Sequence, residues 1–157
     1  MLPEHVIESI ARSSFARYKR QRMCDGLPIE YERFDDQPET LMESCRSQAR
    51  DIERKVGLMG CSIVKSGRGV NRVEVFSEEE VELLARVEHN RWVDERVADG
   101  WAYGPVKDVD GKLSPFLVPW EDLSEQVRDY DRRPVRDIIP LLESVGLAVT
   151  RGGRGGG

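Results

Sequence analysis

The chain has 157 residues, 39% of them hydrophobic and 34% charged, with a net charge of −5. That length bounds it to one domain or two tightly packed halves, and the acidic balance argues against a general binder of duplex nucleic acid, which needs a basic footprint. No run approaches the ~18 apolar residues of a membrane-spanning helix, and MLPEHVIESIA lacks the charged-then-apolar order of a secretory signal. Cys24, Cys45 and Cys61 are scattered without a CxxC pair, which fits reduced core thiols in a cytoplasmic protein better than zinc ligation or a disulfide framework.

Residues 3–25 predict a helix. Pro3 suits its first turn, Val6, Ile10, Phe15, Tyr18 and Met23 approximate an apolar stripe, and Gly26 is its stop. A polar loop at 27–37 leads to a second helix over 38–57, through Leu41, Cys45, Ile52 and Val56 to Gly57. The β-branched runs at 61–65 and 71–76 flank Ser66-Gly67-Arg68-Gly69 and predict a hairpin, with a loose linker between two halves as the alternative. Ser77 and Glu80 form a capping box that opens a helix to about Asp99.

Residues 101–120 are mostly irregular, with a turn at Asp108, Asp110 and Gly111. That turn lacks the further oxygen ligands and late Glu of a calcium loop, so no metal and no cofactor are expected. A short helix follows at 121–130. Another starts near Asp131 or Arg132, with Pro134 in its first turn and Pro140 bending or splitting it, and Gly146 ends it. Residues 147–150 suggest a last strand, and 151–157 a flexible Gly-rich tail.

The chain also carries an internal echo. Residues 7–26 align without a gap to 81–100, an offset of 74, with seven identities in twenty: Glu8/Glu82, Ala11/Ala85, Arg12/Arg86, Arg17/Arg91, Arg22/Arg96, Asp25/Asp99 and Gly26/Gly100. Two amphipathic helices share part of such a pattern in any case; apolar positions in phase favour duplication. With gaps, Glu39-Thr40-Leu41 meets Glu121-Asp122-Leu123, and Gly60-Cys61-Ser62-Ile63 meets Gly146-Leu147-Ala148-Val149. The chain thus divides into a degenerate first copy with its hairpin linker (1–76), a second copy (77–150) and the tail (151–157).

The second copy has a further property. GWAYGPVKD, then KLSPFLVPW, then RDYD resembles the RyR repeat of ryanodine receptors and of many bacterial proteins, here in the manner of a stand-alone bacterial or phage protein. His89, Trp92, Gly100, Trp101, Tyr103, Gly104, Pro105, Lys107, Asp108, Lys112, Pro115, Leu117, Val118, Pro119 and Trp120 occupy the family's positions, and Ser114 replaces the usual His before Pro. The resemblance covers about residues 80–150. It implies a mainly helical fold with short β-strands (α+β), a pseudo-two-fold pair of repeats of which the first is degenerate.

Under the repeat alignment His89, Trp92 and Arg96 correspond to Phe15, Tyr18 and Arg22, and i, i+3, i+7 spacing sets each trio on one helix face. Opposed about a two-fold axis, Trp92 and Tyr18 would sandwich a planar base, a contact worth about 1–3 kcal/mol in single-strand binders. Arg22 and Arg96 would grip attached phosphates with paired donors. The resemblance implies the same kind of site, because adenine nucleotides bind between paired repeats in ryanodine receptors. It adds His89 at the base edge or a ribose and Asp131 of RDYD as an acceptor at the base or sugar end. The bland alternative is that these aromatics pack a core, as helix tryptophans usually do.

No Gly-rich phosphate loop is present, since SGRGVNR has neither nucleotide-binding spacing, and nothing pairs a nucleophile with a base. The expected function is a non-catalytic sensor or sequestering module for a nucleotide-like small molecule (an adenine nucleotide, an ADP-ribose derivative or a cyclic nucleotide). An effector protein or a homo-oligomer would receive its signal, and no membrane is involved. The alternatives are a protein-interaction module using the aromatic loop 101–120 and a nucleotide-processing enzyme.

Overall fold

A computed structural model describes residues 1–152; the remainder of the expected tail, 153–157, lies outside the described residues. The chain is mainly α-helical with short strands. Its elements in order are α1 (Glu4–Cys24), α2 (Glu39–Arg50), α3 (Ile52–Leu58), β1 (Cys61–Lys65), α4 (Glu78–Ala98), β2 (Ala102–Tyr103), β3 (Leu113–Ser114), α5 (Glu125–Arg136), α6 (Ile138–Ser144) and β4 (Leu147–Arg151). Short 3-10 turns at Phe34–Asp36 and Trp120–Asp122 precede α2 and α5.

The element order repeats. α1 and α4 are both 21 residues long and lie 74 apart in sequence. Both end on a left-handed glycine, Gly26 at φ 69° and Gly100 at φ 87°. The closing bonds match as well, Leu27 N to Arg22 O and Trp101 N to Arg96 O, each 2.9 Å. From the 3-10 turns onward every element recurs at a spacing of 86 (34 to 120, 39 to 125, 52 to 138, 61 to 147). The change from 74 to 86 places twelve extra residues in the loop between Gly100 and Trp120. The alignment of Glu39 with Glu121 is corrected accordingly: Glu39 corresponds to Glu125, because the turn Phe34–Asp36 matches Trp120–Asp122.

Two compact units divide the chain, Met1–Val75 with the segment from Asp137 onward, and Phe76–Arg136. In the first, α1 packs on α2 and α6, and α3 and α6 cover β1 and β4. Ile7, Ile10, Ala11, Phe34, Ala49, Ile52, Val56, Leu142 and Val149 are buried there. β1 and β4 pair antiparallel, with Ile63 opposite Val149. Those two residues are counterparts at the 86 spacing, so the pairing is symmetric about a local two-fold axis between them. In the second unit α4 packs on α5, and Phe76, Val81, Leu84, Ala85, Trp120, Leu123 and Val135 are buried.

The expected 61–65/71–76 hairpin does not form. β1 takes β4 as its partner, and from 71–76 there is a single bridge, Arg72 to Thr150, beside a 2.7 Å bond from Val73 N to Val149 O. The glycine-rich turn allowed a hairpin, but two strands that are each other's repeat counterparts form the more complete ladder. The helix expected over 38–57 is two helices meeting at Asp51, whose carboxylate holds Arg54 at 2.7 Å and Lys55 at 3.2 Å. The two prolines exchange roles. Pro134 falls late in α5, and Pro140 is third in α6, where no intrahelical acceptor awaits its missing N–H. The tail begins later than expected, since Arg151 closes β4. Along α1 the buried stripe is confined to Ile7, Ile10 and Ala11, leaving Tyr18 and Met23 exposed.

Candidate functional site

The loop between α4 and α5 is built by its motif residues. Gly100 releases the chain from α4, and Lys112 Nζ caps the helix end by donating to Asp99 O at 2.7 Å. Ala102 and Tyr103 then pair parallel with Leu113 and Ser114. At Gly104 the strands approach so closely that a Cβ would lie 2.9 Å from the Leu113 Cβ, so the residue must be glycine. Asp108 shapes the reversal: its side chain accepts from Gly111 N at 3.0 Å, and its backbone exchanges both bonds with Leu113. Ser114, in the family's His position, is buried and accepts from Phe116 N at 3.2 Å. The loop returns through Phe116, against Tyr130 of α5, to the buried Trp120.

His89 sits at the meeting point of α4, α5 and this loop. It is 2% exposed. Nε2 lies 2.7 Å from the Val118 carbonyl, and Nδ1 lies 3.6 Å from Asp131 Oδ2, an ion-pair distance longer than a hydrogen bond. Trp92 stacks on the ring at 6.0 Å between centroids and 24° between planes, and Trp120 is tilted against it at 6.1 Å. Burial is the largest single influence on this imidazole and opposes its charge, but Asp131, the Val118 carbonyl and Glu88 together outweigh it and hold the His89 pKa above its ordinary value.

Trp92 is half-buried, and the Arg96 guanidinium lies over its ring at 5.6 Å and over Trp101 at 5.7 Å. The counterpart pair in the first unit has the same form, with Arg22 over Tyr18 at 5.8 Å and Tyr18 58% exposed. Arg22 also donates to Pro28 O at 2.7 Å. Among the described residues neither Arg22 nor Arg96 has a carboxylate partner, whereas Arg12, Arg17, Arg46, Arg50, Arg91, Arg128, Arg132 and Arg136 all do. Of the six expected site residues, His89, Trp92, Arg96 and Asp131 lie in the second unit, and the first three share one face of α4. Tyr18 and Arg22 lie in the first unit.

A family model described as RyR domain matches residues 72–151, just over half of the chain. The chain belongs to the RyR domain family. Seven of the fifteen RyR positions quoted from the sequence are architectural: Gly100, Gly104, Asp108, Lys112 and Trp120 make the loop, and the Val118 carbonyl receives His89.

Sequence reasoning overlooked a second constellation in the RyR domain. Arg132 holds Glu82 at 2.8 Å, Glu125 at 2.9 Å and Asp129 at 3.0 Å, and lies over Trp120 at 5.8 Å. In the first copy Arg46 holds Glu8 at 2.7 Å, Glu39 at 3.0 Å and Glu43 at 3.7 Å, and lies over Phe34 at 5.7 Å. Each of these residues is the counterpart of the other copy's. Hydrogen bonding to Arg46 and Arg132 holds the Glu8 and Glu82 carboxyls below the usual carboxylate range. A groove of about 440 Å³ along α4 and α5 is lined by this clamp together with Glu78, Glu79 and Arg136, so its acidic character belongs to the fold.

Glu88 is also buried, and Arg91 grips both its oxygens, at 2.8 and 2.9 Å. The signal for the clamp was the identity Glu8/Glu82 in the repeat alignment; the Glu88–Arg91 pair has no such signal, because Glu88 corresponds to Ser14 and Arg17 pairs with Asp137. Among the described residues no group of three acidic, His or Cys side chains could hold a metal, and no helix is long and apolar enough to cross a membrane.

Proposed function

We propose that this RyR domain protein is a non-catalytic binding module for a nucleotide-like anionic small molecule, acting as a sensor or a sequestering protein. One observation carries the reading. The counterpart arginines Arg22 and Arg96 each lie over an aromatic ring and, among the described residues, have no carboxylate partner. A guanidinium left uncompensated beside a ring is suited to a ligand that combines a flat base with phosphate. Trp92 and Arg96 are the ligand-facing residues on α4, and Tyr18 and Arg22 present the same pair on α1. His89 and Asp131 support the Trp92 ring from the buried side. The sensor role assigns the signal to an effector protein or to a second copy of the chain.

Titration calorimetry with adenine nucleotides, ADP-ribose and cyclic dinucleotides tests this. One of them binds the wild-type protein; Trp92→Ala and Arg96→Ala each weaken it tenfold or more, about 1.4 kcal/mol. The nucleotide is recovered chemically unchanged after incubation. Silence across the panel ends the reading, and turnover of the nucleotide converts it to an enzyme. A second reading rests on the loop itself. Tyr103, Val106 and Val109 are 58%, 74% and 63% exposed, apolar side chains of one loop available for contact with another protein.

A further inference from the structure

The first copy shows what the fold requires at the His89 position. Its counterpart is Phe15, which meets Phe34 edge-on at 6.0 Å where His89 meets Trp120, tilted by 53°, at 6.1 Å. The counterpart of Asp131 is Cys45, and the twelve extra loop residues have no counterpart. The same helical frame therefore folds with an apolar ring in this slot. In the second copy the slot instead holds a buried imidazole facing a carboxylate on α5 and a carbonyl of the added loop. Burying an ionisable group is costly unless it is paired, so the exchange of Phe for His requires a reason other than packing.

We propose that His89, Asp131 and the Val118 carbonyl form a proton-operated latch that holds the added loop against α4 and α5. The imidazole has an oxygen facing each nitrogen. A doubly protonated ring directs an N–H at both, whereas a neutral ring has one N–H and turns a lone pair towards the other oxygen. The charged groups facing it are Glu88 on its own helix and Asp131 on α5; the loop presents the Val118 carbonyl, and the guanidiniums of Arg128 and Arg132 lie on the neighbouring Trp120. When the ring loses its proton to solvent, the bridge it makes between the loop carbonyl of Val118 and Asp131 on α5 is broken at one end, and the loop is no longer tied through the ring to α5. The raised affinity of the ring for its proton has the sign that favours the closed, charged form. This mechanism needs no ligand, and its test reads the ring and the loop without one.

The test is a pH titration of the full ¹⁵N-labelled chain by NMR. His5, exposed in the first turn of α1, is replaced by Gln so that one imidazole remains. The His89 ring and the amides of Gly104, Lys112 and Leu113 are expected to move with one common midpoint above that of a free imidazole. Asp131→Asn shifts that midpoint down, and the loop amides follow it. His89→Phe, which installs the first copy's residue, leaves the loop amides flat with pH. The latch is overturned if the ring titrates while the loop amides stay still, if the ring titrates at or below the ordinary value, or if Asp131→Asn leaves the midpoint unmoved. Should either variant fail to fold, the wild-type comparison of ring and loop midpoints still decides.

Discussion

The two copies of the repeat share a frame and differ in what the frame carries. Each fixes its first long helix to the helix after the 3-10 turn with one arginine, three carboxylates and an aromatic ring: Arg46 with Phe34 in the first, Arg132 with Trp120 in the second. Each ends that long helix on a left-handed glycine. The second copy alone adds twelve residues after the glycine, and with them His89 and Asp131 in place of Phe15 and Cys45. Residues common to both copies hold the fold, and residues that changed with the insertion serve the insertion. The comparison separates architecture from specialisation within a single chain.

The clamps offer the largest perturbation. Arg132→Ala takes a partner from three carboxylates, of which Glu125 keeps Arg128 at 2.7 Å, and leaves Trp120 covered by Arg128 alone. With those carboxylates themselves half-exposed and screened, a cost of about 2–3 kcal/mol is expected, and about 1–2 for Arg46→Ala, read from urea unfolding. A difference of more than about 2 kcal/mol between them would show that the clamps are not equivalent. The reciprocal of the latch variant is Phe15→His. It sets an imidazole in a half-buried site where the first copy has Cys45 in place of Asp131 and no added loop, and should cost about 1–2 kcal/mol, more at acid pH than at pH 8 because the charged form is the worse one to desolvate.

Gly104→Ala tests the added loop by itself. Its new Cβ would press on Leu113 at 2.9 Å, and a loss of about 1–2 kcal/mol is expected, with chemical-shift changes confined to 101–115. The smallest effect is in acid. The Glu8 and Glu82 carboxyls are held below their ordinary range, so their contribution is present above that range and fades as pH falls through their folded values. Glu8→Gln and Glu82→Gln should flatten the acid limb of stability to the same small extent, measured as unfolding midpoint against pH. Unequal flattening would again separate the two clamps.

Much of this frame was legible in the sequence. The capping box Ser77/Glu80, confirmed by reciprocal bonds of 2.9 and 3.1 Å, marks the start of α4, and Gly26 and Gly100 mark the ends of α1 and α4. The identity of Glu8 with Glu82 already held half of each clamp. The other half, Arg46 with Arg132, stayed hidden because setting Glu39 against Glu121 made the gap ahead of the 3-10 turns four residues too short, which puts Arg46 against Arg128. The site residues were legible as a face of α4, but not their depth. Spacing sets His89 and Trp92 on one side of the helix, whereas burial at 2% for His89 against half-burial for Trp92 depends on where Val118 and Trp120 come to rest.

Local order came from neighbours in the chain: the extent of the two long helices, their caps, the duplication of the first, and the RyR motif with its glycines are all set by residues a few positions apart. Tertiary structure decided that β1 pairs with β4, 86 residues away, and not with the segment beyond its own turn, and that His89 faces inward onto Asp131 and a loop carbonyl. Helix propensity and capping act over three or four residues and can be read in place. Strand partnership and the burial of one imidazole are settled by apolar surface and backbone hydrogen bonds contributed from segments that the sequence keeps far apart.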